Sequence, residues 1–266
     1  MAFAIHRGCR LHYDVAGDAD APPLVLIRGL ARSARYWGEV ARVLERSHRV
    51  VCLDNRGVGS SAATLPPYST ALMADDVVAV MDAVGVARAH VFGMSLGGMI
   101  AQMVALNHPD RVDRLVLGCT TPGGRRADRG SWRTLAAMVR SGLLRPHAAV
   151  RMIAPILLSR DTIEGRPEVL DEWIRIATSE RTSRAGLLGQ LVAGARHDAY
   201  RDLARVASPT LVVTGDADRL IPPVNSRILA ARIPGARLVM LPGAGHDFTT
   251  DRPAEAAELV GRFLRG

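Results

Sequence analysis

The sequence predicts an α/β protein, with a mostly parallel sheet of eight strands wrapped by helices. Three observations carry that prediction. Short apolar runs alternate with helical stretches through both ends of the chain. The runs are apolar throughout, as expected of strands covered on both faces. One strand-to-helix junction, Gly93-Met94-Ser95-Leu96-Gly97, has the G-x-S-x-G spacing of a tight turn that holds a serine away from its own backbone.

The elements follow in order. Residues 1–16 read as two strands, turning at Arg7-Gly8 and again at Gly17-Asp18. Leu24-Val25-Leu26-Ile27 is a buried strand closed by Arg28-Gly29, and 36–45 follows with helical spacing. Val50-Val51-Cys52-Leu53 is the next strand. It ends in Asp54-Asn55-Arg56-Gly57-Val58-Gly59-Ser60, where Asp54 and Arg56 are expected to fix a turn. Residues 70–84 carry Leu72, Met73, Val77, Val80 and Val84 on one helical face. After the Ser95 junction a helix over 96–106 stops at His108-Pro109, and a strand covers 114–118.

The alternation then breaks. Helical spacing recurs at 134–139, 148–158, 169–177 and 187–195, with no convincing strand between. It resumes with a strand over 210–214, a helix over 223–233, a strand over 237–241 and a closing helix over 254–264. The division is therefore a core of residues 1–122 and 206–266 and a helical insertion of 123–205, hinged at Gly123-Gly124-Arg125-Arg126 and Ala207-Ser208-Pro209.

Composition narrows the function. The chain of 266 residues is 48% hydrophobic and 23% charged, the balance of a globular domain with a sizeable core. No run approaches the roughly 18 apolar residues of a membrane span. The first residues lack a basic start followed by an apolar stretch, so a cytoplasmic location is expected. Cys9, Cys52 and Cys119 are far apart and odd in number, which suits reduced thiols and offers no metal or disulfide framework. All 34 cationic residues are arginines, and the net charge is +8. They are spread along the chain and aromatics are only 4%, which argues against nucleic-acid binding. The positive field suits an anionic substrate.

A serine becomes a useful nucleophile only beside a base, and that base needs a group to orient it. His246 follows the last predicted strand in Pro242-Gly243-Ala244-Gly245-His246. Asp218 follows the strand before it in Gly215-Asp216-Ala217-Asp218, with Asp216 the runner-up acid. The loop Cys119-Thr120-Thr121 offers no carboxylate. Loops at the carboxyl ends of parallel strands meet along one edge, so Ser95, Asp218 and His246 are expected on one rim. The N–H groups of Leu96 and Leu30 are the expected donors to an oxyanion.

Together Leu26-Ile27-Arg28-Gly29-Leu30, the Asp54–Ser60 turn, Gly93-Met94-Ser95-Leu96-Gly97-Gly98, His108-Pro109-Asp110-Arg111-Val112, Gly215-Asp216-Ala217-Asp218 and Gly245-His246 resemble the α/β-hydrolase superfamily over essentially the whole chain. The nearest likeness is to capped esterases, enol-lactonases, cofactor-free haloperoxidase-like enzymes and polyketide-tailoring methylesterases. The resemblance implies an α/β-hydrolase fold with a helical cap. It also implies a serine hydrolase cleaving a small-molecule ester or lactone, with no metal or organic cofactor. Perhydrolase or haloperoxidase-type chemistry, thioester hydrolysis or carbon–carbon bond hydrolysis by the same residues, and a non-catalytic ligand-binding protein, remain as alternatives. Arg28 departs from the family, which commonly has His-Gly there. It either replaces structural hydrogen bonds or holds a substrate carboxylate or carbonyl. Met94, Trp132, Met138, Met152, Ile156 and Trp173 are candidates to line the substrate pocket, or to hold the cap together.

Overall fold

The computed structural model of the protein describes residues 2–180 and 183–266. Eight strands form one sheet in the order β1-β2-β4-β3-β5-β6-β7-β8. They are β1 (Ala2–His6), β2 (Cys9–Ala16), β3 (Pro23–Ile27), β4 (Arg49–Leu53), β5 (Ala89–Met94), β6 (Val112–Gly118), β7 (Thr210–Gly215) and β8 (Arg237–Leu241). β2 runs antiparallel to both neighbours, and every other pairing is parallel. The expected mostly parallel, eight-stranded α/β architecture is thus what the chain adopts.

The strands bury both faces because both are apolar. Val25 and Ile27 of β3 enter one core cluster, while Leu24 and Leu26 enter the other. That split follows from the period of two along a strand. The helices α1 (Gly38–Leu44), α2 (Thr70–Val84) and α3 (Leu96–Asn107) follow β3, β4 and β5. α2 and α3 cover the first face, with Met73, Val77, Ile100 and Val104 buried in it. α1 supplies Trp37's neighbours Val40 and Leu44 to the second face. α2 starts at Ser69, whose hydroxyl accepts from Leu72 N at 3.0 Å, and ends at Gly85 with φ +74°.

Five helices leave the sheet between β6 and β7: α4 (Trp132–Ser141), α5 (Pro146–Leu157), α6 (Arg160–Gly165), α7 (Pro167–Ser179) and α8 (Arg184–Arg196). Four correspond to expected segments, and α6 does not, because its single turn and a half carries no apolar stripe. The neck of the insertion is a short pairing, Gly123 with Asp198, flanked by Gly124 N to His197 O at 3.0 Å and Ala199 N to Pro122 O at 2.9 Å. The second neck strand therefore lies at His197–Ala199, not at the expected Ala207-Ser208-Pro209. Ala199 and Leu203 are already buried in the main core. The chain closes with α9 (Val224–Arg232), a short α10 (Phe248–Asp251) and α11 (Pro253–Arg265), whose Ala256, Val260 and Leu264 complete the second face.

Register aligns the carboxyl ends of the central strands. Ile27 pairs with Gly93, Met94 with Gly118, Gly118 with Val213, and Gly215 with Leu241. At this rim α3 crosses β3 with almost no clearance. A Cβ on Gly97 would sit 2.1 Å from Ile27 O and 2.7 Å from Arg28 O. Both are backbone atoms of a central strand and its loop, and neither has room to retreat. Gly97→Ala is expected to cost about 2–3 kcal/mol, read as a Tm lower by roughly 5–10 °C. Gly165→Ala, where no atom lies within 4 Å of the new Cβ, is expected to leave Tm essentially unchanged.

Candidate active site

Ser95 stands between β5 and α3 with φ 56° and ψ −120°, a conformation that L residues avoid. The strain is held from all sides. Ser95 N donates to Gly118 O at 2.8 Å, and Ser95 O accepts from Gly98 N, Met99 N and Thr120 Oγ1 at 2.9, 3.1 and 2.7 Å. A Cβ on Gly93 would lie 2.2 Å from Gly97 O, and one on Gly29 would lie 2.9 Å from Ser95 Cβ. The G-x-S-x-G spacing is therefore a demand for space, and Gly29 makes the same demand from the facing loop.

His246 and Asp218 meet at the rim. His246 Nδ1 lies 2.8 Å from Asp218 Oδ2, with the two side chains 6% and 0% exposed. Asp218 Oδ1 accepts from Leu220 N at 2.8 Å and Ile221 N at 2.9 Å, so the carboxylate has little freedom to turn. Nδ1 bound to a carboxylate carries the proton, which leaves Nε2 as an acceptor. Asp216 serves the backbone instead. Its Oδ1 accepts from Gly243 N at 2.7 Å and ties down the loop leading to His246. Ser95 and His246 line one cavity, and among the described residues no hydrogen bond joins Ser95 Oγ to the imidazole. Leu30 and Leu96 line it too, and neither backbone N–H donates to another described residue.

Cys119 Sγ lies within 4.8 Å of the ligand-type atoms of Asp218 and His246. Metal binding needs a thiolate, and burial, reinforced by Asp218, pushes this thiol well above its usual pKa. The donor set suits a hydrogen-bonded cluster. His197 also reaches the cavity, but burial drives its pKa down to about 4, and its ring nitrogens face Thr70 Oγ1 at 3.0 Å and Gln102 Oε1 at 3.4 Å. It has no carboxylate to orient it.

Arg28 is 2% exposed and belongs to the scaffold. Its Nη2 pairs with Asp247 Oδ2 at 2.5 Å, its Nη1 donates to Thr249 Oγ1 at 3.0 Å, and its guanidinium lies 4.9 Å from the Trp37 ring centroid. The pair bolts the Gly29 loop to the His246 loop. Of the two roles weighed for Arg28, the structure favours substitute structural bonding, although the residue does edge the cavity. Asp54 and Arg56 hold turns as expected. Asp54 accepts from Ala34 N and Ser60 N, and Arg56 Nε and Nη2 reach Asp76 at 2.5 and 2.6 Å.

The cavity has a volume of about 930 Å³ and lies between the strand rim and the inserted helices. Met94 and Met138 line it, as expected. Trp132, Met152 and Trp173 do not. Trp132 is 74% exposed at the start of α4, beside Arg133. Met152 and Ile156 fall off the wall because Val150, Ile153 and Leu157 form the stripe of α5 that faces inward. Trp173 is buried against Tyr36, ring centroids 5.8 Å apart, and holds α7 to the loop after β3. Residues with no local signal complete the site: Asp247, Gln190, which accepts from Ala31 N at 2.9 Å, and Arg32.

Asp247 is buried, which alone would raise its pKa, yet Arg28, Thr249 and Arg32 together hold it below the usual carboxylate range. A depressed folded-state pKa adds stability that is full above the unfolded value of about 4 and is lost as pH falls below it. Asp247→Asn leaves Arg28 buried without a counter-charge and is expected to cost roughly 3–5 kcal/mol near neutral pH. The gap between variant and wild type in urea midpoint should narrow steadily from about pH 4 downward. A gap independent of pH would show that the charge is not what matters.

Comparison with known proteins places this architecture. A family model described as alpha/beta hydrolase fold matches residues 22–253. A protein of Caulobacter sp. (strain K31), provisionally named carbamate hydrolase RutD, is 34% identical over 267 residues, with 96% of each chain covered. Among solved structures, a hydrolase from Pseudomonas aeruginosa PA01 aligns with a TM-score of 0.88 at 30% identity, covering 100% of this chain and 98% of that one. The enol-lactonase from Burkholderia xenovorans LB400 aligns with a TM-score of 0.89 at 28% identity, covering 100% of both. With the match spanning most of its length and the rim built as described, the chain belongs to the alpha/beta hydrolase fold family and is a hydrolase.

Proposed function

We propose that this hydrolase cleaves a carboxylic ester or lactone through an acyl-enzyme formed on Ser95. The observation that carries the reading is the 2.8 Å His246–Asp218 bond, buried at the rim where Ser95 is held at positive φ beside a cavity. His246 Nε2 takes the Ser95 proton as Oγ attacks the carbonyl carbon. The same proton passes to the leaving alkoxide when the tetrahedral intermediate collapses. Asp218 keeps the imidazole in one tautomer and offsets its charge once it is protonated. The N–H groups of Leu30 and Leu96 receive the oxyanion. Water, deprotonated by His246, then attacks the acyl-enzyme, and that proton passes from His246 to Ser95 Oγ as the acid leaves. The inserted helices between Gly123 and Asp198 act as a cap that supplies the far wall of the cavity and admits the substrate.

The carbamate names among the relatives favour one second reading, in which the carbonyl attacked belongs to a carbamate. Ester and carbamate share the attack and differ in the leaving group and in the resonance that protects the carbonyl. Rates on p-nitrophenyl acetate, p-nitrophenyl octanoate and an N-alkyl p-nitrophenyl carbamate are expected to be highest on the esters. Carbamate turnover above both esters would reverse the assignment.

Ser95→Ala is expected to lower kcat by at least about 10⁴-fold, and Asp218→Asn by roughly 10³–10⁴-fold. The Ser95→Ala protein should keep its wild-type Tm or gain slightly, since alanine strips a hydroxyl without changing the backbone. A fluorophosphonate probe should label the wild type and not the variant. Labelling elsewhere with Ser95 intact would remove the serine from the mechanism.

A further inference from the structure

Arg32 is a buried cation that forms no ion pair among the described residues. It follows the Gly29 turn, where its N–H donates to Gly29 O at 3.3 Å, and it lines the same cavity as Ser95. The residue is 8% exposed. Its guanidinium lies 4.1 Å from the Tyr36 ring centroid and 4.0 Å from that of Trp173. Neither Nη1 nor Nη2 has a hydrogen-bond partner among the described residues. Two aromatic faces attract a cation, but they accept none of its in-plane hydrogen bonds.

Two acids on the cavity wall, Asp247 and Glu180, are paired with other arginines, and Asp128 is exposed. Asp247 pairs with Arg28, so the two arginines and one carboxylate of this corner sum to one positive charge. Glu180 accepts from Ser33 Oγ at 2.8 Å and pairs with Arg35. Asp128 Oδ1 accepts from Gly130 N. Burial pulls the Arg32 pKa down, while Tyr36 and Asp247 pull it back. A guanidinium stays charged under such shifts. Two further arginines, Arg129 and Arg184, are exposed on the cavity wall and form no ion pair among the described residues. Much of the remaining wall is apolar: Met94, Met99, Met138, Ile153, Leu157 and Leu187 are on it. At about 930 Å³ the cavity stands near the top of the range of roughly 300–1,000 Å³ that holds drug-sized ligands.

We infer that the substrate is an amphiphilic organic anion: an ester with a bulky apolar body, bearing a carboxylate that Arg32 draws into the cavity. This rests on the hydrolase reading of Ser95. The role foreseen for Arg28 passes to the next arginine along the loop, because Asp247 has claimed the first. A carboxylate in the cavity near Arg32 supplies a charge that the described residues do not, attracted across the protein's own low-dielectric packing.

The test pairs p-nitrophenyl octanoate with the p-nitrophenyl monoester of octanedioic acid, nearly matched in length and differing in charge. Wild-type kcat/KM is expected to be at least tenfold higher on the anionic ester, mostly through KM. Arg32→Met fills the space between the two rings without charge and should abolish the preference, lowering kcat/KM on the anionic ester at least tenfold more than on the octanoate. Arg32→Lys should keep part of the preference. Equal rates in the wild type, or an equal loss on both esters in Arg32→Met, would overturn the inference. If Arg32→Met fails to fold, Arg32→Gln takes its place.

A binding arm separates this inference from the hydrolase reading. In Ser95→Ala, methyl hydrogen octanedioate should bind at least tenfold tighter than dimethyl octanedioate, read by fluorescence of Trp173 against the guanidinium. Charge-selective binding without turnover of either ester in the wild type would sink the hydrolase reading and keep this one. Turnover without charge preference would do the reverse.

Discussion

The site depends on one backbone conformation. Ser95 sits at φ 56° because β5 must end and α3 must begin within a single residue. The strain of order 1–3 kcal/mol is held in place by the parallel sheet below it and the helix above. Gly93, Gly97 and Gly29 are the condition for it. Each stands where a Cβ would press within 3 Å of backbone or of Ser95 itself. Side chains of any size at these positions would push α3 off β3 and lower the serine back toward the sheet. The register of β3, β5, β6 and β7 then brings Gly118 and Thr120 to the points from which they fix Ser95 N and O.

Around this turn the loops are tied to one another and to the inserted helices. Asp251 accepts from Ser159 N and Gly245 N, and Asp247 N donates to Leu157 O at 2.8 Å, so the loop carrying His246 leans on the junction of α5 and α6. Arg166 Nη2 donates to Thr250 O and Asp251 O at 2.7 and 2.9 Å and closes the same junction. On the other side Gln190 of α8 bridges Ala31 N and Arg56 O. Gly57 and Gly186 touch backbone to backbone. The insertion thus braces both loops that bear on Ser95, and its packing reaches the geometry of the rim as well as the shape of the cavity.

Two arginines four residues apart illustrate how context divides identical chemistry. Arg28 and Arg32 are both buried, both stacked on aromatic rings and both beside the cavity. Arg28 has a carboxylate and a hydroxyl within hydrogen-bond reach, and it serves the scaffold. Arg32 has rings and no acceptor among the described residues, and its charge is left to act on whatever enters. For a charge buried in the protein that difference counts for more than it would on the surface.

The sequence by itself determined the sheet, most of its helices and the strand ends that carry Ser95, Asp218 and His246. Both-face apolar runs have only one way to be buried. The glycines of the Ser95 turn announce a clearance requirement that is local to five residues, and Asp218 and His246 each follow their own strand. Those are short-range signals, and they survive without a structure. The wall of the cavity did not. Trp132 and Met152 have the right chemistry and lie on the wrong face, because the direction of a helix in space is set by its neighbours. Trp173 was spent on packing α7 against Tyr36. The partners of Arg28 lie 219 and 221 residues away, at a distance along the chain that no local pattern spans. Only the tertiary structure decided which arginine would be neutralised and which would remain charged, because that choice depends on which loop a distant carboxylate reaches first.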